Sequence, residues 1–228
     1  MVFTILLWYL GSTLIGWMVI PLTSKIFHNL PTKGYAFSRI LGLLMWGYFF
    51  WLSVSFKILS NDLLSQSIIL CILLGVSIYF GLRKGFKQKW QWVISHWKLI
   101  LGIELVFIIS FLAFTIFRGF SPDIVGTEKP MEFAFLNAIL RSEGFPPYDP
   151  WLSGYTISYY YFGYVLVAMI TRLTGTASAI AFNLSQSLWF AMIASSAYGL
   201  TVDLFAFWSD KHRDKKIKMQ SWMLRWAA

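Results

Sequence analysis

The feature that most constrains this chain is a series of long apolar blocks almost free of charge. They fall at residues 2–20, 40–59, 65–82, 99–117, 157–173 and 177–207. Crossing a bilayer core takes about 20 residues of helix, and the blocks are of that order. Lipid offers no water to satisfy free N–H and C=O groups, so such blocks must be helical. A β-barrel would need short segments alternating apolar and polar residues, whereas these blocks are solid. Composition agrees. Hydrophobic residues make up 57% and charged residues 13% of the chain, against roughly 25% charged in a soluble domain, which leaves too little polar surface to cover a globule in water. The expected fold is all-α: a polytopic membrane protein with about six transmembrane helices and one long external loop containing a short interfacial helix.

The first block lacks a charged n-region and no small-residue cleavage site follows it, so it reads as a retained helix rather than a signal peptide. Pro21 breaks it, and a polar connection runs to Ser38. The connector 83–98 mixes lysines with Trp90, Trp92 and Trp97, a composition suited to the membrane interface. Residues 174–176 read as a tight turn. The last block exceeds what a bilayer requires, which predicts tilt or a break. The chain divides into an N-terminal membrane region (1–98), a core (99–207) and a basic tail (208–228). No internal repeat is visible.

The net charge of +9 does not indicate nucleic acid, because the basic residues flank apolar blocks and accompany no recognition module. They collect in the connectors 21–39 and 83–98, which lie on one side and set the cytoplasmic face. There they also meet anionic membrane lipid. The opposite side receives the loop 118–156, with Asp123, Glu128, Glu132, Glu143 and Asp149. Six spans would put the tail on that same side, yet it carries Lys211, Arg213, Lys215, Lys216, Lys218 and Arg225. The charge rule and the span count therefore conflict after residue 177. Cys71 has no intrachain partner and is expected to be a small packing residue. His28, His96 and His212 match no ligand spacing. Glu104, inside the fourth block, is expected to snorkel or pair with Lys98, and Asp203 is read likewise.

Within the loop, Pro130 suits a first helical turn, Glu128 and Glu132 suit the positive end of a helix dipole, and Gly144 suits a stop. A helix is expected over 130–142, too apolar for free solution and so lying on the membrane or against the bundle. Pro146, Pro147 and Pro150 make the following run rigid. Tyr155, Tyr159, Tyr160, Tyr161 and Tyr164 then stand at the mouth of the fifth block, the three adjacent ones spaced roughly 100° around its helix.

The blocks Gly-Thr-Glu-Lys-Pro-Met-Glu-Phe-Ala-Phe-Leu-Asn-Ala-Ile (126–139), Pro-Pro-Tyr-Asp-Pro-Trp (146–151) and Tyr-Tyr-Tyr-Phe-Gly (159–163) resemble the YYY, or DUF2298-like, multi-spanning membrane proteins of bacteria and archaea. That family is similar in turn to GT-C glycosyltransferases, an analogy at fold level. The resemblance implies a prokaryotic plasma membrane, a polyprenyl-phosphate-linked sugar donor, and a chain that is an N-terminal piece of a longer protein. It makes Asp123 and Glu128 candidates for deprotonating an acceptor hydroxyl or holding a divalent cation. Lys129 and Arg141 become candidates for a phosphate. Glu132, Asp149, Tyr155, Tyr159, Tyr160 and Tyr161 become candidates for the rest of the substrate. Each has a plainer reading: solvated acids, local ion pairs, a helix cap at Glu132, a turn anchor at Asp149 and an interfacial aromatic belt. The competing class is a non-enzymatic transporter or assembly factor.

Overall fold

The computed structural model describes residues 1–82 and 86–226, with side chains outside 86–90 and 210–226. The described residues form nine α-helices and one 3-10 turn: α1 (Val2–Met18), α2 (Ile20–Ile26), α3 (Ser38–Ser55), α4 (Leu63–Leu82), α5 (Phe86–Ser95), α6 (Trp97–Phe120), α7 (Lys129–Arg141), α8 (Phe162–Thr174) and α9 (Ser178–Trp226), with the turn at Tyr35–Phe37. The all-α reading holds. By length and composition α4, α6, the stretch Tyr35–Ser55 and the Ser178–Ser209 part of α9 each suffice to cross a membrane, and α1 and α2 suffice when taken together as one span bent by 51°. Pro21 does not end the first helix in a polar connection, as the sequence suggested. It sits in the first turn of α2, where a missing N–H costs nothing, so the chain bends and continues.

One buried cluster joins the elements, with Trp8 of α1, Trp46 and Phe50 of α3, Phe107 and Phe111 of α6, Ile139 of α7, Met169 of α8 and Leu188 of α9. Where α1 crosses α3, Gly16 lies under Arg39 and Gly42 against Ile15; a Cβ on either would come within 2.8 Å of those neighbours. Small residues let membrane helices approach this closely. The opposite faces stay apolar and open, as at Leu64, Ile109 and Ile116. In water such a surface would be an association patch; against lipid it is the solvent-facing side. Cys71 belongs to this outer face and is exposed, so it is not the packing residue expected.

Helices α6 and α9 run antiparallel. Phe114 stacks on Phe190 at 4.9 Å, Arg118 at the end of α6 bonds Asn183 near the start of α9, and Gly102 lies beneath Tyr198. Further along α9, Asp203 is 1% exposed and accepts from the N–H and hydroxyl of Thr32 at 2.9 and 2.8 Å. Asp203 is thus a structural clasp between α9 and the 21–39 connector rather than a snorkelling acid. Beyond it α9 continues without a break to Trp226, about 73 Å in all at 1.5 Å per residue.

The block 157–173 departs from expectation. Its helix, α8, has 13 residues, about 20 Å, short of a core about 30 Å thick. Near its start, the Trp51 indole at the far end of α3 donates to Tyr161. At its end, Arg172 reaches Asn61 in the α3–α4 turn and the last carbonyls of α7. Helix α9 then starts beside Arg118 at the end of α6. The chain therefore enters and leaves α8 on the loop side, and α8 fills that half of the bundle. Val165 to Thr171 are all buried, as befits a helix apolar all round. With α8 removed from the count, the tail follows α9 to the side of the basic connectors, and the charge conflict disappears.

Candidate functional site

The loop side carries the residues that the sequence proposed for catalysis and substrate binding. Helix α7 begins after Glu128, with Pro130 in its first turn. Its inner face, Phe135, Leu136, Ala138 and Ile139, is buried, so it docks on the bundle. Its C-terminal end is held by Asn61, whose amide donates to Ile139 and Ser142 carbonyls at 2.7 Å each. Arg172 adds bonds to the Ile139 and Leu140 carbonyls at 3.2 Å, a cation placed where a helix dipole favours it. Arg172 donates to the Asn61 oxygen at 2.6 Å, so the two side chains act as one clamp.

After α7 the chain folds into a small hairpin. Tyr148 and Thr156 form an antiparallel bridge, and Asp149 and Ile157 donate backbone bonds to Tyr155 and Pro147 at 2.9 Å. Asp149 closes the turn by accepting from the N–H groups of Trp151 and Leu152 at 2.8 and 2.9 Å. This extended return explains a miss. Ile157 is tied to the hairpin and residues 158–161 precede α8, so the three tyrosines do not project around a helix. Tyr160 is 86% exposed, Tyr159 is 45% exposed, and Tyr161 turns inward beneath Trp51 at 2.9 Å. Tyr159 packs on Phe135 at 5.6 Å, and Tyr155 is exposed.

The remaining residues separate into two groups. Arg141 and Asp149 line a groove of about 710 Å³ with Lys57, Glu143, Tyr148 and Thr156. Two cations and two carboxylates thus border one polar recess between the end of α3, the end of α7 and the hairpin. Asp123 and Glu128 lie elsewhere, on the stretch between α6 and α7. Both are exposed, and their carboxylates take part in no hydrogen bond or ion pair among the described residues. Glu132, in the first turn of α7, faces the Tyr164 hydroxyl, and Lys129, three residues before it, is half-buried. The stretch is pinned at its origin, where Arg118 grips Asn183, whose amide donates to the Pro122 carbonyl at 3.1 Å.

Lys57, Asn61, Arg172 and the Arg118–Asn183 pair were not singled out by sequence. Their signal was available in part. Arg172 is a lone cation in an apolar block, and an intramembrane cation is a functional or structural candidate by default. Among the described residues no three His, Cys, Asp or Glu side chains converge as a metal ion would require.

Glu104, inside α6, does not pair with Lys98. Its carboxylate meets Arg39 of α3 at 2.5 Å and accepts from the Tyr35 hydroxyl at 2.7 Å. Trp17 of α1 donates in turn to Tyr35 at 3.2 Å, and Arg39 also donates to Thr13 at 3.1 Å.

These observations define a multi-pass, all-α membrane protein. Over residues 45–214 the chain matches the family described as uncharacterized membrane protein (DUF2298), and it belongs to that family. No curated protein and no solved structure matches it.

Proposed function

We propose that the protein is a membrane glycosyltransferase of GT-C type, taking its sugar from a polyprenyl-phosphate carrier. The observation that supports this most is the state of Asp123 and Glu128. Among the carboxylates of the loop, Asp149 is consumed by its turn, Glu132 faces Tyr164 and Glu143 borders the groove beside Arg141 and Lys57, whereas the Asp123 and Glu128 carboxylates are exposed, without a hydrogen bond or ion pair among the described residues, a few residues beyond a membrane helix. That is where a water-soluble acceptor meets a lipid-borne donor. In the prokaryotic plasma membrane that the family resemblance implies, the lysine and arginine bias supports a cytoplasmic basic side and an external loop. One of the two carboxylates takes the proton of an acceptor hydroxyl. The freed oxygen attacks the anomeric carbon, and polyprenyl phosphate leaves with the electron pair of the broken C–O bond. Lys129, next to Glu128 in sequence, supplies positive charge for that phosphate, Arg141 and Lys57 offer more from the separate groove, and Tyr155, Tyr159 and Tyr160 offer faces for the sugar.

The test uses full-length protein in liposomes with a panel of polyprenyl-phosphate hexoses, reading release of polyprenyl phosphate. Asp123→Asn or Glu128→Gln is expected to lower turnover by about 10²–10⁴, the usual contribution of a positioned general base. Wild-type release from both variants overturns the assignment.

A transport reading is favoured by different features: the bent α1–α2 span, the half-length α8 and the intramembrane Arg39–Glu104 pair. Discontinuous helices and buried ionisable groups are how transporters build midplane sites. That reading expects no chemical release in the same assay, together with flux that Glu104→Gln abolishes.

A further inference from the structure

At the opposite face, the bend between α1 and α2 opens a groove of about 530 Å³ against α4, α5 and α6. Its walls are apolar, among them Ile20, Pro21, Leu74, Ile78 and Ile100. The volume falls in the range of about 300–1,000 Å³ common to small-molecule sites. The polar groups around it are already engaged. The Ser77 hydroxyl donates to the Met18 carbonyl that the bend releases, Ser24 bonds the Pro21 carbonyl, and Tyr35 is held between Trp17 and Glu104. A buried water needs two to four polar partners, so this groove offers water little. The exception is Lys33 at its edge. Its ammonium stands 5.5 Å from the centre of the Trp92 ring and has no hydrogen bond or ion pair among the described residues. Nearby on α2, Lys25 lies over Phe80 at 4.1 Å.

We propose that this groove is a binding site for one anionic glycerophospholipid of the basic-side leaflet, with an acyl chain along the Pro21 bend and the phosphate at Lys33. The argument is charge complementarity joined to shape. Hydrocarbon is the solvent at this depth, and it fits an apolar recess that lacks unsatisfied polar groups. The uncommitted cation sits at one end of the recess, on the side where lysines and arginines collect, and anionic headgroups are attracted to such positions. The site lies across the bundle from the loop and is independent of the glycosyl-transfer reading.

The experiment is native mass spectrometry of the full chain. The protein is purified in detergent, after exchange against equimolar dioleoylphosphatidylglycerol and dioleoylphosphatidylcholine. Wild type should retain one lipid, mainly phosphatidylglycerol. Lys33→Gln should lower the glycerol-to-choline retention ratio by roughly fivefold, the equivalent of ~1 kcal/mol for one lysine near anionic lipid. Ile78→Trp, which fills the groove, should abolish retention of both lipids. Ile72→Trp, on the outer face of the same helix, should leave retention unchanged and controls for folding. Equal retention of the two lipids by wild type, an unchanged ratio in Lys33→Gln, or full retention in Ile78→Trp would overturn the proposal.

Discussion

Arg39 and Glu104 illustrate how a single residue is read differently once its surroundings are known. Their side chains are 5% and 14% exposed, and the pair ties α3 to α6 within the membrane. Arg39 also lies over the Phe107 ring at 4.0 Å. Removing one partner strands a charge in a low-dielectric interior, a loss of about 3–5 kcal/mol. Glu104→Gln or Arg39→Met should therefore lower stability in detergent, measured by thermal unfolding. The double variant Arg39→Met with Glu104→Leu should lose much less than the sum of the single losses. Asn61 is the corresponding case on the loop side. Asn61→Ala leaves two carbonyls and the Arg172 guanidinium short of a partner, at about 1–3 kcal/mol per unsatisfied group. Hydrogen exchange should then rise across residues 139–145 while α6 stays protected.

The elements followed the sequence where local pattern decides. Helix α7 appeared within a residue of its expected start because Pro130 and the acids around it mark a helix N-terminus without help from elsewhere. The turn at Gly175, with φ of 63°, is likewise local. Helix α8 was misread because hydropathy measures what a segment avoids, not which surface shields it. Val165 to Thr171 avoid water by burial among α1, α3, α4, α7 and α9 rather than by contact with lipid. Labelling tests this at the scale of the helix. In a Cys71→Ala background, Glu143→Cys and Ala177→Cys should react with a membrane-impermeant maleimide from the same side. Lys25→Cys should react from the other. If α8 crossed the bilayer, Ala177→Cys would instead follow Lys25→Cys.

For the whole molecule, the sequence by itself determined the solvent and the fold class. Blocks of about 20 apolar residues admit only helices in lipid, and charge bias separates a basic face from an acidic one. It also marked the loop that carries Asp123, Glu128, Arg141 and Asp149. Tertiary structure decided the rest. It reduced six blocks to four full-length spans and a bent pair, and so brought the basic tail to the basic side. It split the candidate residues between an open stretch and a polar groove, paired Glu104 with Arg39 rather than Lys98, and clasped Asp203 to Thr32. The physical reason is one of range. Helix formation and transfer into lipid depend on each segment and its own neighbours. The partner of a buried charge, and the choice between lipid and protein as the cover for an apolar helix, depend on residues as much as 171 positions away.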